Sequence, residues 1–473
     1  MSIPDVRETI EDGALGLVTD STDQICLKLG VCSLGTPLVI QSFSDRASLK
    51  TALGAGPVVD AAALSLDTAG GPVYVMPIAA STPGSAGSVT HLTGTQTAVP
   101  TISGAPNDQY DVQLQITRAG ANLAANTAAL KYTLDGGDNW SQEVAVPTGG
   151  AVSLVGTNMT ATFADGTFVA GDVFKFTTTA PAYSLSDLTT AVNAALADPR
   201  TWGFIHVVGP ASTPSGSASM LATLDTLMSS AEAAFRYAFA IMEAPDDEAA
   251  SNANLITAFA SSASKRVMVC AGYAEVLSSM SGLIRKRSSA WPIAARCAKV
   301  GISEDLGAVE DGPIVGVDSL YHDEQATPNL DAARFSSLRT IIGRQGFYVT
   351  NGNMFSPAGS DFKYVQFRRV MDRACADARQ GLLEYLNSSL RLDPNTGFIL
   401  ESEAQAIEAD VNGQMVEDLV NGGDASSTSI KISRTANILS TGTMPTTVRV
   451  EPLGYAKQIT IDIGFVNQAL VAK

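Results

Sequence analysis

The chain has 473 residues, about three domains at ~150 residues each, and carries 30 Lys+Arg against 47 Asp+Glu for a formal net charge of −17. Charged residues make up 16% and apolar residues 45%, with a mean hydropathy of +0.14. Disorder needs the opposite balance, and the negative surplus repels phosphate, which argues against nucleic acid as a partner.

The start, MSIPDVRETIEDG, is charged early and has no apolar centre, so it does not read as a leader. The longest uncharged stretches, Val144–Ala164 and Thr201–Leu224, are broken by Gly, Pro, Ser and Thr, short of the ~20 mostly apolar residues a spanning helix needs. No membrane insertion is expected. Five scattered cysteines, Cys26, Cys32, Cys270, Cys297 and Cys375, form no CxxC pair and read as reduced, mostly buried thiols of a protein made in a cytoplasm.

Residues 1–23 are polar, charged and without period, and read as an extended N-terminal arm. Strand-like runs follow at Ile25–Ser33 and Thr36–Phe43. A helix begins at Ser44-Asp45 and stops at Gly54, and Pro57 opens a second that ends at Gly70-Gly71. Pro72–Ile78 is a third strand. Composition shifts at Ala79. Residues 108–180 alternate apolar and polar positions (Tyr110, Val112, Leu114, Ile116; Leu130, Tyr132, Leu134; Phe174, Phe176) between Gly-rich turns. That period of two marks half-buried antiparallel strands, so residues 85–180 read as an inserted β-sandwich with its ends close together.

Strand–helix alternation resumes at residue 181. Helices are expected over Leu185–Leu196, Ser217–Phe235 and Asp246–Ala263, and strands over Gly203–Gly209, Tyr237–Met242 and Arg266–Gly272. This is the pattern of a largely parallel or mixed sheet covered on both faces. A helix near Trp291–Val300, a strand near Ile314–Val317, a helix near Asp331–Ser337 and a strand near Phe347–Thr350 come next. A long helix spans Phe362–Leu390 and an acidic one Glu401–Val420. The end holds strands Ser429–Leu439, Thr446–Pro452 and Lys457–Phe465, the last alternating Ile459, Ile461, Ile463, Phe465.

Chemistry-bearing motifs are scarce. The three histidines, His91, His206 and His322, lie in separate segments with no metal-ligand spacing, and His206 reads as a core histidine. GxxxxGK[ST], a strand-linked GxGxxG and GxSxG are absent. Catalytic, cofactor and metal residues are therefore expected to number none. Thr133–Trp140 (TLDGGDNW) resembles the Asp-box of sialidase-like propellers, but it occurs once and reads as a structural hairpin turn. Asp246-Asp247-Glu248 suits a helix N-terminus. The acidic helix reads as a solvated face, with a calcium or basic-partner surface as the sharper option. Two basic clusters stand out. Arg285, Lys286, Arg287, Arg296 and Lys299 form one, and Lys363, Arg368, Arg369, Arg373 and Arg379 decorate the long helix. Each reads either as a mixed, salt-bridged surface or as a dock for an acidic protein.

The segment Thr36–Ile78 resembles the start of contractile-tail sheath proteins: a strand, an SF-x-D/E helix, then a G-G/P-aromatic-V-x-x-I strand, here Gly70-Gly71-Pro72-Val73-Tyr74-Val75-Met76-Pro77-Ile78. The later half is similar to their carboxyl domain in Leu338-Arg339-Thr340 followed by Tyr348-Val349-Thr350, in the Arg-bearing helix Phe362–Leu390, and in the acidic helix leading to paired strands. The resemblance covers residues 1–80 and 181–473, and implies a non-enzymatic subunit of a myovirus-type tail sheath. It implies a mixed α/β and α+β core with extended N- and C-terminal arms: an arm at 1–23, a middle domain at 24–84 and 181–330, the insertion at 85–180, a C-terminal domain at 331–455 and an arm strand at 456–473. Implied partners are neighbouring sheath subunits, the tail tube protein, the baseplate and the tail terminator, within a virion assembled in the host bacterial cytoplasm. Ile459, Ile461, Ile463 and Phe465 are then expected in an inter-subunit strand, and Arg368, Arg369, Arg373 and Arg379 facing the tube. The reading from another class is a tail-associated carbohydrate-binding or hydrolytic protein acting through the insertion. A metabolic α/β enzyme is disfavoured by the missing motifs.

Overall fold

A computed structural model describes residues 22–464. Most of the expected N-terminal arm, and Phe465, lie outside the described residues. The chain forms two compact units, up to Ala376 and from Asp377 onward.

In the first unit, β1 (Cys26–Gly30) is followed by a short β2 (Gln41–Phe43), α1 (Arg46–Leu53), α2 (Pro57–Ala69) and β3 (Val73–Pro77). The expected strand Thr36–Phe43 is cut to its last three residues because Gly35 and Leu38 take positive φ, 95° and 64°. Asp45 caps α1 by accepting the Ser48 N–H at 2.8 Å, and Gly70 closes α2 in the left-handed conformation.

Residues 85–179 hold nine strands: β4 (Ser85–Ala86), β5 (Thr90–Thr93), β6 (Pro100–Ser103), β7 (Asp111–Arg118), β8 (Ala129–Thr133), β9 (Val144–Ala145), β10 (Ala151–Leu154), β11 (Met159–Phe163) and β12 (Val173–Thr179). They pair antiparallel in two sheets, β10-β11-β6 and β4-β12-β7-β8-β9, with β5 also on β12. One apolar cluster serves both, including Val112, Leu114, Ile116, Phe163, Phe168, Phe174 and Phe176. These are the alternate positions of the period-two pattern. Thr82 and Ala182 exchange backbone hydrogen bonds of 2.9 Å, so the two ends of the segment meet.

The sheet of β1 to β3 is completed by β13 (Phe204–Val207), β14 (Phe239–Glu243) and β15 (Val267–Cys270), with α3 (Leu185–Ala197), α4 (Pro214–Ala233) and α5 (Ala253–Phe259) between. Its order is β15-β14-β13-β1-β3-β2, parallel except for β2. Successive residues of the strands face opposite sides. Cys26, Phe204, Phe239 and Met268 join the cluster under α2 and α6 (Ala290–Lys299), while Leu27, Ile205, Ala240 and Val267 join that under α3, α4 and α5. Both faces are covered, which is why these strands read as continuous apolar runs.

Two helix expectations fail here for backbone reasons. The helix Asp246–Ala263 shrinks to Ala253–Phe259 because Ser251 and Asn252 sit at φ 51° and 63°. No helix forms over 331–337: Arg334 has φ 73°, and Ser336 instead bridges Cys270 at the edge of β15. An unforeseen hairpin, β16 (Tyr273–Leu277) and β17 (Ile284–Ser288), pairs with β18 (Val317–Leu320). Leu338–Arg339 and Tyr348–Val349 form a two-stranded pair. Residues 331–376 fall within the first unit, where Phe335 and Phe355 stack edge-on around Phe259.

The unit boundary falls within α7 (Val365–Leu383). The second unit holds α8 (Glu401–Met415), a π-helical continuation to Asn421, and the antiparallel pair β19 (Ala425–Ile432) and β20 (Thr446–Pro452). Ala404, Ile407 and Val411 of α8 cluster with Ile430 and Ile432 of β19. The strand expected at Ser429–Leu439 starts and ends earlier, because Asn437 caps a short helix at Ile438–Thr441.

Candidate assembly surfaces

The basic residues chosen from the sequence are mostly internal. Arg368 donates to Asp372 at 2.6 Å and stacks over Phe362 at 4.3 Å; Arg369 donates to the carbonyls of Gly301 (2.9 Å) and Val300 (3.3 Å). Both are 3% exposed. The expected tube-facing stripe is therefore corrected at these two positions: their charges hold the first turns of α7 within the first unit. Asp372 also accepts from Arg266, which reaches Glu232 at 2.6 Å on its other side. Arg373 is half-buried and pairs with Asp23 at 3.1 Å, at the root of the N-terminal segment. Arg379 lies half-buried in the second unit.

The second basic cluster is internal as well. Arg287 grips Asp108 with two bonds of 2.9 and 2.6 Å, and Arg285 adds a third of 2.8 Å. Arg285 also pairs with Asp60 of α2, and Asp60 accepts from Ser278 at 3.0 Å. Two guanidinium groups and two carboxylates thus form a buried quartet that ties α2, the 85–180 segment and the β17 strand together. Burial would raise Asp108, but Arg287 and Arg285 prevail and hold its carboxyl below the usual range. At Asp60 burial prevails and raises it. A second link sits beside it. Asp135 of the Asp-box-like turn accepts from Thr133 Oγ1 (2.7 Å) and the Asn139 N–H (3.0 Å), and Asn139 Nδ2 reaches Gly282 O at 3.2 Å on the hairpin tip. The motif is a structural turn that docks the segment. Sequence reasoning missed the quartet because its members are scattered over residues 60, 108, 285 and 287.

The aromatic residues of the insertion do not offer a glycan-stacking platform. Tyr110, Tyr132, Phe163, Phe168, Phe174 and Phe176 are buried, and half-buried Trp140 is covered by Lys131 at 4.6 Å.

In the second unit, the acidic helix is partly neutralised from within: Arg434 pairs with Glu401 and Glu408 at 2.7 Å each, and Tyr385 donates to Asp410 at 2.6 Å. Residues 457–464 form no strand. Ile459, Ile461 and Ile463 are 74, 71 and 91% exposed, so the alternating apolar side chains have no cover among the described residues. No group of three or more His, Cys, Asp or Glu arranged for a metal occurs among the described residues, and no helix there is long and apolar enough to cross a membrane. All five cysteines are free thiols; burial pushes Cys26 up to about 11.

The fold is that of contractile sheath proteins. The chain superposes on a chain of the contracted anti-feeding prophage baseplate with a TM-score of 0.55 at 14% identity, covering 99% of this chain and 100% of that one. The sheath complex of the extracellular contractile injection system PVC, in its contracted state, gives 0.54 at 9% identity over 98% of both chains. The contracted helical sheath of the anti-feeding prophage gives 0.51 at 14% identity, covering 98% of this chain and 99% of that one. No curated protein matches the sequence. Residues 3–353 match the N-terminal domain of DUF2586 and residues 361–470 its C-terminal domain, so the chain belongs to the DUF2586 family.

Proposed function

We propose that this chain is the structural subunit of a contractile sheath, polymerising in stacked rings around a tail tube and contracting to drive that tube through a host envelope. The observation that supports the reading is the likeness in fold to chains of contracted sheaths over 98% of the length. Residues 85–180 act as an inserted, outward β-sandwich, and 1–23 and 456–473 as arms that reach neighbouring copies. The exposed Ile459, Ile461 and Ile463 support the second arm: an extended segment with one apolar face gains its missing hydrogen bonds and cover by adding to another copy's sheet edge. Energy for contraction comes from exchanging one packing of subunits for another, with no nucleotide needed. Tube contact passes to the α7 basic residues that are not buried, Arg373 and Arg379. Baseplate, tail terminator, a place in the virion and assembly in the bacterial cytoplasm complete the proposal.

Electron microscopy of the purified chain tests it. The full chain should form tubes or ring stacks, and a chain lacking residues 456–473 should stay folded and monomeric. Tubes from the truncated chain would refute the arm. A full chain that never assembles, alone or with its tube subunit, would refute the sheath reading.

A further inference from the structure

The five parallel strands run in the spatial order β3-β1-β13-β14-β15. The chain leaves β1 in one direction to reach β3 and returns past it to β13, so the order reverses between β1 and β13. In open α/β sheets the crevice beyond the carboxyl ends of the strands at such a reversal is where ligands bind. Here that crevice is a cavity of about 810 Å³ lined by Val31 after β1, Gly209 after β13 and Glu243 at the end of β14, with Tyr183, Tyr273 and Trp291 as walls. The volume falls in the range of small-molecule sites.

The chemistry of the lining narrows the ligand. A phosphate cradle needs bare helix N–H groups, and most of those that open α2 and α4 are already engaged. Pro57 and Pro214 have none, Val58 donates to Val31 O, Val59 and Asp60 donate to Gly56 O, and Gly216 and Ser217 donate to Thr213. The basic side chains are engaged too: Arg287 holds Asp108, and Lys286 pairs with Asp246. Glu243 differs. It is 3% exposed, and its carboxylate accepts from Trp291 Nε1 at 2.7 Å and from the Gly209 N–H, both neutral donors. Its nearest basic group is His206 Nε2 at 3.7 Å, beyond hydrogen-bond reach. Burial keeps that imidazole neutral, and its Nδ1 faces Lys28 Nζ at 2.9 Å. Lys28 and Arg287 act on Glu243 only from beyond salt-bridge contact, and Arg287 lies over Trp291 at 4.7 Å and Lys286 over Tyr273 at 5.4 Å. A buried carboxylate with no cation in contact, in a crevice walled by Tyr183, Tyr273 and Trp291, is complementary to an organic ammonium.

We propose that this crevice is a binding site for a small organic cation, a primary aliphatic or arylalkyl amine whose ammonium group pairs with Glu243. The site lies in the core sheet and does not depend on the sheath reading.

Burial pushes Glu243 up to about 7, so the ionised form that an ammonium needs becomes dominant only above that pH. The other groups around it are Lys28 on β1, His206 on β13, Cys270 on β15, Tyr273 on β16, Arg287 on β17 and Tyr183 before α3. Burial raises Cys270, Tyr273 and Tyr183, so all three are neutral between pH 6 and 8. Lys28 is lowered by burial and is the one competing titrating group.

The test is isothermal titration of the full chain with putrescine and with phenethylamine, and with inorganic phosphate as the opposite charge. Saturable binding of at least one amine is expected, tightening about tenfold from pH 6 to pH 8 as Glu243 ionises. Glu243→Gln should weaken it tenfold or more and abolish the pH dependence. Ser212→Trp, at the exposed rim, should weaken it while the chain stays folded. Absence of saturable amine binding, preference for phosphate, or a pH dependence that survives Glu243→Gln would overturn the site. If Glu243→Gln does not fold, the wild-type pH profile and the rim variant decide.

Discussion

The junction between core and insertion and the tail at 457–464 treat exposure in opposite ways. At the junction, four charged side chains are largely withdrawn from water, and each finds its counter-charge within the same chain: Asp60, Asp108, Arg285 and Arg287. In the tail, three isoleucines stay largely in water, with no cover among the described residues. The first region is complete in one copy; under the proposed arm, the second is completed by a neighbour. Burying charges is unfavourable unless every partner is present, so a closed ionic quartet marks a contact that need not come apart. Exposed alternating Ile costs little in a monomer, and its burial becomes favourable once another surface arrives.

Removing one member of the quartet should have the largest effect on stability. Arg287→Met leaves Asp108 buried with one remaining Arg, and we expect a loss of about 3–5 kcal/mol in chemical denaturation. A loss below about 1 kcal/mol would mean that the junction is wet and that the contrast with the tail is smaller than the geometry indicates.

A smaller effect is expected at His322, where pH reads the same principle. Burial opposes its charge, but the carboxylates of Glu248 at 3.6 Å and Glu324 at 2.9 Å hold it up at about 9. Its folded pKa lies above its unfolded one, so the contribution is full below about 6.5 and is lost as pH rises through 9. Melting temperature should fall by a few degrees across that window, and His322→Gln should flatten the dependence. A pH profile unchanged in the variant would assign the effect elsewhere.

Asp45 sets the scale of an ordinary surface contact. Its carboxylate caps α1 through the Ser48 N–H, so Asp45→Ala should lower the melting temperature only slightly, by less than His322→Gln does at pH 6.

Local signals carried far in this chain. The caps of α1 and α2, the apolar runs of β1, β3, β13, β14 and β15, and the period of two in residues 108–180 all appear in the structure because each depends on neighbours in sequence. Positive-φ residues other than glycine did not announce themselves. Leu38, Ser251 and Asn252 delayed the start of an element that composition would have begun earlier, and Arg334 prevented one. The basic clusters misled for a related reason. Arg368 and Arg369 sit on an amphipathic helix as a surface pair would, and only the placement of Asp372, Val300 and Gly301 turns them inward. Charge pairing over separations such as that of Asp108 and Arg287 has no signature in one sequence. The crevice at β1 and β13 was equally silent, because its chemistry rests on Glu243 having no cation in contact rather than on a motif.

The smallest stability effect belongs to the tail, and it sharpens the contrast most. Replacing Ile459, Ile461 and Ile463 together by Ser removes apolar side chains that are already 71–91% exposed. No contact in the monomer is lost with them, and we expect unfolding free energy to stay within about 0.5 kcal/mol of wild type. Assembly should respond differently. Each Ile buried against a neighbour contributes on the order of 2 kcal/mol, and a helical polymer repeats that contribution in every subunit. Sedimentation should therefore show monomers where the wild type gives tubes, with the two melting curves superimposed. If the triple variant melts early, the isoleucines pack within their own chain, and the distinction between a self-sufficient junction and an unfinished tail fails.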